Sequence, residues 1–322
     1  MSGSGANKGR PPELERLQQI RKNLGRRARI LDGIRCFFRE RGFLEVDTPL
    51  RVPQVAPEIN ISPFRSEDCF LSTSPELYMK RLVAAGYEKI FQLTRSFRKD
   101  ERGERHQPEF TILEWYRTHA GCLDVIRDTE DLVVSLSRKL KHGTTIHYQG
   151  KEIDLTLPWI RLSVSAAFGA SAGWDPVAVA DTERFEDDLV NRVIPAFDRS
   201  RPTILTDYPA YCASLARLKP GNPLVAERAE VFIGGLEIAN AFSELNDALL
   251  QEKRFLEEIE RLRCEGKEGF TLPRRFLQAL AYLPECGGIA LGVDRLVMLM
   301  CDAASISDVI AFPWEEGCGL EA

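Results

Sequence analysis

Two alternating segments joined by a charged loop constrain this chain more than any other feature. KIFQLTRSFR (89–98) sets Phe91, Leu93 and Phe97 on one side and Gln92, Thr94, Ser96 and Arg98 on the other, which is the period of a β-strand. FTILEWYR (110–117) alternates too, with Phe110, Ile112, Glu114 and Tyr116 on one face and Thr111, Leu113, Trp115 and Arg117 on the other. The loop KDERGERHQPE joins them, so the pair reads as an antiparallel hairpin. Its all-polar stripe either faces water or lines a polar pocket. A long charged loop between two good strands is uncommon unless it is functional. Glu114, in a strand otherwise apolar, demands a cationic partner if buried.

A second hairpin is signalled by Gly234-Gly235 between the apolar-rich runs of ERAEVFIGGLEIANAFSELND, a two-residue turn. Pairing 233 with 236 brings Glu230 and Glu237 together as diagonal neighbours on one face. Two such acids are either exposed groups paired to surface Lys or Arg, or ligands to a divalent cation that also meets substrate phosphates. Glu237 and Asn240 cannot share a face of a regular strand, which predicts a bulge between them. GGIALGVDRLVML reads as an apolar strand running into a helix near Asp294-Arg295, and residues 248–263 are amphipathic.

Helix signals cluster elsewhere. Leu14, Leu17 and Leu24 predict one helix over 12–24; Ile30, Ile34, Phe37 and Phe38 predict another over 26–41, ended by Gly42. GFLEVDTPL reads as a short strand stopped by Pro49. In SPELYMKRLVAAG, Ser74 is placed as N-cap, Pro75 at the first helical position and Glu76 in the first turn, with Gly86 after the last. Residues 120–200 read as mostly helical, with Gly and Pro breaks and no evident chemistry.

Composition sets limits. At 322 residues, 44% hydrophobic and 28% charged, the sequence is that of a globular protein. A net charge of −5 argues against a chain built mainly to hold nucleic acid by its phosphates. The N-terminus lacks the apolar core of a secretory signal. Scattered cysteines without a C-x-x-C pair predict free thiols in a reducing cytoplasm and no structural zinc. Arg98, Arg105 and Arg295 supply guanidinium forks for carboxylate or phosphate oxygens. Phe110 is either a core ring or a platform for a base.

FRKDERGERHQPEFTILEWY resembles motif 2 of the class II aminoacyl-tRNA synthetases, GFLEVDTPL their motif 1 and GGIALGVDRLVML their motif 3. SPELYMKRLVAAGYEKIFQL and GGLEIANAFSELND are similar to the lysyl subclass. The resemblance runs from about 24 to 313 and implies an α+β fold, the class II synthetase catalytic domain, with an antiparallel β-sheet flanked by helices. It implies a flexible tail over 1–12, a catalytic domain over 13–316 and a C-terminal tail over 317–322. With only about two dozen residues before motif 1, no anticodon-binding domain is expected. A lysyl-type site in such a chain resembles the elongation factor P–(R)-β-lysine ligase family. That family activates (R)-β-lysine with ATP and Mg²⁺ and transfers it to a lysine of elongation factor P.

Carried onto this sequence, the resemblance gives Ser74, Pro75 and Glu76 the substrate's backbone amino group. Glu114, Tyr116 and Glu244 would bind the side-chain ammonium, and Asn240, Phe242 and Ala290 would line the same pocket. Ala290 stands where lysyl-tRNA synthetases usually have Gly, a change expected to favour a β-amino acid. Arg98 and Arg295 are the implied catalytic arginines, holding the α-phosphate and the leaving pyrophosphate. Lys99, Asp100, His106, Gln107 and Phe110 would contact ATP, as would the backbone of Ile238 and Gly292. Glu230 and Glu237 would hold Mg²⁺, Glu237 touching the nucleotide as well. Asp100 replaces a usual Glu and Gln107 a usual Asn. A cytoplasmic homodimer is the implied assembly.

Overall fold

The computed structural model describes residues 11–267 and 269–314. Helices α1 (Pro12–Gln19) and α2 (Arg21–Glu40) lead into β1 (Leu44–Glu45) and a small sheet of β2 (Arg51–Val52), β3 (Arg65–Ser66) and β4 (Cys69–Leu71). Helix α3 (Glu76–Ala84) precedes the hairpin of β5 (Lys89–Phe97) and β6 (Glu109–Thr118). After α4 (Cys122–Lys139) come β7 (Thr145–Tyr148), β8 (Lys151–Asp154), β9 (Ile160–Ser163), α5 (Val164–Ser171) and α6 (Thr182–Asp188). The second half holds β10 (Thr203–Pro209), β11 (Leu218–Lys219), and the hairpin β12 (Asn222–Ile233) and β13 (Leu236–Ser243). It closes with α7 (Ala248–Cys264), α8 (Arg274–Leu280), β14 (Cys286–Gly292) and α9 (Val293–Cys301).

The large sheet runs β1-β5-β6-β14-β13-β12-β10-β9, with β11 paired to β12. Its two faces divide as the alternation predicts. Phe91, Leu113, Trp115, Ile289, Leu291, Ala239, Ala241 and Val231 point into the main core, which α2, α4 and α9 cover with Ile34, Phe38, Val125, Val133, Leu296 and Val297. Nearly all of these side chains are fully buried, and each of the larger ones contributes roughly 1.5–3 kcal/mol relative to exposure. The other face is polar along its middle and apolar at both ends. At one end Ile90 and Tyr116 meet Leu77, Phe255, Phe276 and Leu280, from α3, α7 and α8. At the other, Leu205 and Phe232 pack with Phe168 and Phe185, from α5 and α6. The polar strip between them is the floor of the site.

The sheet is antiparallel through its centre, as expected, with parallel pairs β1–β5 and β9–β10 at its edges. Several other expectations are corrected. Residues 120–200 are less helical than their pattern: β7 and β8 form a hairpin and β9 extends the main sheet. These strands have four residues each, too few for alternation to declare itself. The first two helices divide at buried Ile20 rather than near Gly25, which sits inside α2; the modest helix cost of one Gly is overridden by packing. Helix α3 begins at Glu76, two residues after the expected cap. Motif 1's strand is reduced to Leu44–Glu45. The domain's first helix starts at Pro12, while residues 1–10, 315 and 316 and the expected tail at 317–322 lie outside the described residues.

Candidate active site

The hairpin β5–β6 fixes the floor through register. Gln92 lies opposite Glu114, which lies opposite Ala290 on its other side, and Ala290 lies opposite Asn240. Tyr116 and Phe242 both flank Gly288. The polar stripe of β5 is therefore not a solvated face: Gln92 and Ser96 are buried. The β12–β13 hairpin turns at Gly234-Gly235, pairs Ile233 with Leu236 and carries the expected bulge. Phe232 faces Glu237 while Val231 faces Ala239, so Ile238 is the extra residue. The bulge puts Glu237, Asn240 and Phe242 on one face with Glu230, and leaves Ile238 and Ala239 in the core.

The end expected to take the amino acid is a cluster of carboxylates around one internal cation. Glu114 accepts from Ser74 Oγ at 2.6 Å and from Tyr116 OH at 3.0 Å. Ser74 Oγ also accepts from the Glu76 backbone N–H at 3.0 Å, so it caps the start of α3 from just outside it. Lys80 Nζ lies 2.5 Å from both Glu76 Oε1 and Glu244 Oε2. Glu244, expected to meet a substrate ammonium, is thus engaged by an ammonium of the protein. Burial pushes the Glu114 carboxyl up to about 7, with Glu76 adding to the rise and Ser74 opposing it. Burial also raises Glu244, against the pull of Lys80. For Lys80 burial works against the charge, but Glu244 and Glu76 outweigh it and its pKa rises. The close contacts and the raised Lys80 describe an ammonium shared between carboxylates.

Gly288 is there for space. A Cβ on it would overlap the Glu244 carboxylate and the Tyr116 ring. Neither Lys80 nor Gly288 stands out in the sequence pattern. Lys80 does carry a signal: it falls one turn after Glu76 on a helix face that also carries buried Leu77 and Val83, where a lysine requires a partner.

The end expected to take the nucleotide is arranged by arginines. Arg98 Nε donates to the Thr73 carbonyl at 3.3 Å, Nη1 meets Glu101 at 3.0 Å, and the guanidinium lies 5.1 Å from the Phe110 ring centroid. Glu101, not Asp100, pairs with Arg98; Lys99 and Asp100 are exposed at the head of the loop. Arg295 Nη1 donates to the Glu237 carbonyl at 3.0 Å and lies 3.4 Å from its carboxylate. Its Nη2 contacts His106 Nε2. Burial and then Arg295 lower the His106 pKa, which keeps the imidazole neutral as an acceptor. Gln107, expected at the nucleotide, is buried and accepts from the Trp314 backbone N–H at 2.6 Å; it braces the loop against the chain that follows α9. Gly292 ends β14 where α9 begins. Asp294 anchors motif 3, accepting from the Thr111 N–H at 2.8 Å and pairing with Arg27 at 2.6 Å.

Glu230 pairs with Arg228 at 2.7 Å, and Arg228 also donates to Asn240 Oδ1 at 3.3 Å. Burial raises the Glu230 carboxyl, Arg228 opposes, and Glu237 adds to the rise. No group of three or more His, Cys, Asp or Glu side chains suited to a metal exists among the described residues. An Mg²⁺ held by Glu230 and Glu237 would need phosphate oxygens to complete its shell, a usual arrangement for that ion. The seven cysteines among the described residues are all unbridged.

A groove of about 1140 Å³ between α3, α7 and α8 contains none of these carboxylates. On the sheet floor, acids, arginines and an apolar platform converge on one face. Such a floor, with a motif 2 hairpin and a strand–helix turn ending in arginine, defines an amino-acid-activating catalytic domain. Residues 8–316 match the family described as tRNA synthetases class II (D, K and N), and the chain belongs to that family. It is 38% identical over 306 residues to an elongation factor P–(R)-beta-lysine ligase of Salmonella paratyphi A, covering 90% of this chain and 94% of that protein. A Salmonella enteritidis protein of the same name matches to the same extent. A lysine–tRNA ligase of Pelotomaculum thermopropionicum is 36% identical over 92% of this chain, which spans 64% of that protein's length.

Proposed function

We propose that the chain activates (R)-β-lysine with ATP and transfers it to a lysine side chain of elongation factor P. The observation that carries this reading is the buried acidic cluster of Glu76, Glu114 and Glu244, in a chain that covers 94% of a relative bearing that activity in its name. Activation joins a substrate carboxylate oxygen to the α-phosphorus of ATP and breaks the bond to pyrophosphate. Attack by the acceptor's neutral amine on the acyl carbon then releases AMP, and the amine loses a proton.

In this reading Ser74, Pro75 and Glu76 receive the backbone amino group. Glu114 and Tyr116 receive the side-chain ammonium, and Lys80 holds Glu244 and Glu76 in position. Arg98 brings the carboxylate and α-phosphate together, which lowers the entropic cost of attack. Phe110 stacks on the base. Lys99, Asp100, His106 and Gln107 shape the nucleotide side, with the backbone of Ile238 and Gly292. Arg295 neutralises the departing pyrophosphate. Bound at Glu230 and Glu237, Mg²⁺ would supply charge neutralisation on the phosphates. Ala290, between Glu114 and Asn240, narrows the floor beside the carbon that bears the amine. The working form in this reading is a cytoplasmic homodimer, and no helix among the described residues is long and apolar enough to cross a membrane.

ATP–pyrophosphate exchange with (R)-β-lysine, L-α-lysine and no amino acid tests the reading. Strongest exchange with (R)-β-lysine, followed by labelling of elongation factor P, is the expected result. Exchange with L-α-lysine alone would make the chain a shortened lysyl synthetase relative, and none with either would make it a silent binding subunit.

A further inference from the structure

The site contains an acid that the motifs do not account for. Glu58 sits in the segment between β2 and β3, which lies over the sheet floor. It lines a narrow cavity with Val55, Ala56, Thr73, Ser74 and Glu76. Ser214, in the chain between β10 and β11, donates to Glu58 Oε2 at 3.4 Å. Glu58 keeps some exposure at the mouth of the site, yet its carboxyl is crowded by protein. Burial pushes it up to about 7; Glu76 adds to the rise, while Arg98, Arg228 and Ser214 oppose it. The groups acting on Glu58 thus come from α3, from the end of β5, from β12 and from the chain after β10.

A separate observation shows that the floor lacks donors. Gln92 is 1% exposed, stands directly opposite Glu114, and its Oε1 has no hydrogen-bond partner. The acceptors here are the carboxylates of Glu58, Glu76, Glu114 and Glu244 and the Gln92 oxygen. Against them stand Lys80, the hydroxyls of Ser74, Tyr116 and Ser214, and the guanidiniums of Arg98 and Arg228, which are already engaged by Thr73, Glu101, Cys212, Asn240 and Glu230. Buried acceptors in such excess call for a ligand rich in N–H groups. A single ammonium has three donors, fewer than the carboxylate oxygens of Glu58, Glu76 and Glu114 can accept.

We infer that Glu58 is a substrate-binding residue that completes, with Glu76, the seat for the amino group nearest the carboxylate, and so makes the site selective for diamino acids. The inference rests on the proposed amino-acid-activating function. It adds the residue that discriminates a diamino acid from its monoamino analogue.

The test is calorimetric binding of (R)-β-lysine and of 6-aminohexanoate, which keeps the carboxylate and terminal ammonium but lacks the second amine. Wild-type protein should prefer the diamino ligand, and Glu58→Gln should reduce that preference roughly tenfold to a hundredfold while leaving 6-aminohexanoate affinity unchanged. A preference that survives in Glu58→Gln, or a wild type without any, overturns the inference. An equal loss for both ligands also overturns it, because Glu58 would then support the pocket as a whole. Should Glu58→Gln fail to fold, Glu58→Asp withdraws the charge by one methylene, and an unchanged preference there refutes the role. Pyrophosphate exchange runs alongside: a wild type that binds selectively but exchanges nothing refutes the activating function and leaves the Glu58 assignment standing.

Discussion

Replacing Lys80 with Met removes the only internal ammonium bridging Glu76 and Glu244 among the described residues while keeping an unbranched side chain in a fully buried slot. Lys80 is 2% exposed and makes both contacts at 2.5 Å. Stranding one partner of such a pair costs about 3–5 kcal/mol, a large part of a total stability of roughly 5–15 kcal/mol. The loss is capped because a stranded carboxylate takes up a proton instead of staying charged, at a cost of about 1.4 kcal/mol for each pH unit that the solution lies above the carboxyl's ordinary pKa. The cost should therefore be greatest near pH 8 and shrink toward pH 5.5, where the raised Glu244 carboxyl is more readily protonated. Urea unfolding of wild type and Lys80→Met at both pH values measures this by linear extrapolation. Adding Glu244→Gln to Lys80→Met should recover part of the loss, since the amide carries no stranded charge. A loss below about 1 kcal/mol at pH 8, or one that does not vary with pH, would show that Lys80 is not a desolvated counter-ion.

Further outcomes follow from the same floor. Gly288→Ala should abolish amino-acid-dependent pyrophosphate exchange while secondary structure by circular dichroism persists, because its methyl needs the space of the Glu244 carboxylate and the Tyr116 ring. Glu114 is raised from an ordinary 4.5 to about 7 in the folded chain, so its contribution to stability is fully present below the lower value and lost as pH rises through the higher one. The ligand-free protein should melt lower at pH 8 than at pH 6, and Glu114→Gln should flatten that slope. Substrate affinity should run the opposite way, rising with pH up to about 7 as Glu114 and Glu58 ionise, with proton release detectable in buffers of different ionisation enthalpy. Ala290→Gly should shift exchange toward L-α-lysine, and an unchanged α/β ratio would remove Ala290 from the residues that set specificity.

The floor of the site was legible because strand parity is a local code. Phe91, Leu93, Glu114 and Trp115 each declare a side of the sheet within a few residues, and the clash between Glu237 and Asn240 is enough to demand the bulge. The lid was not legible. Glu58 lies in a loop without period, and its neighbour Ser214 is far away in the chain. Gly288 looks like any glycine in a strand until Tyr116 and Glu244 are placed beside it. The strands between 145 and 163 are hidden by their brevity, since their burial depends on α9, α5 and β10 rather than on their own pattern. Fixation of motif 3 by Arg27 through Asp294 joins residues from opposite ends of the sequence, beyond the reach of any local rule.

The extra residue at Ile238 acts as a phase shift. Before it on β13 the odd-numbered Glu237 looks onto the floor; after it the even-numbered Asn240 and Phe242 do. In the proposed reading, the phosphate side and the amino-acid side of the floor are out of step along the chain and in step in space. A single-codon deletion at this point would leave β12 and β14 where they are and turn one of the two groups into the apolar layer behind the sheet. Recognition of the nucleotide and of the amino acid would then come apart without the loss of a single recognising side chain, which makes the spacing itself, rather than any residue, the unit that couples them.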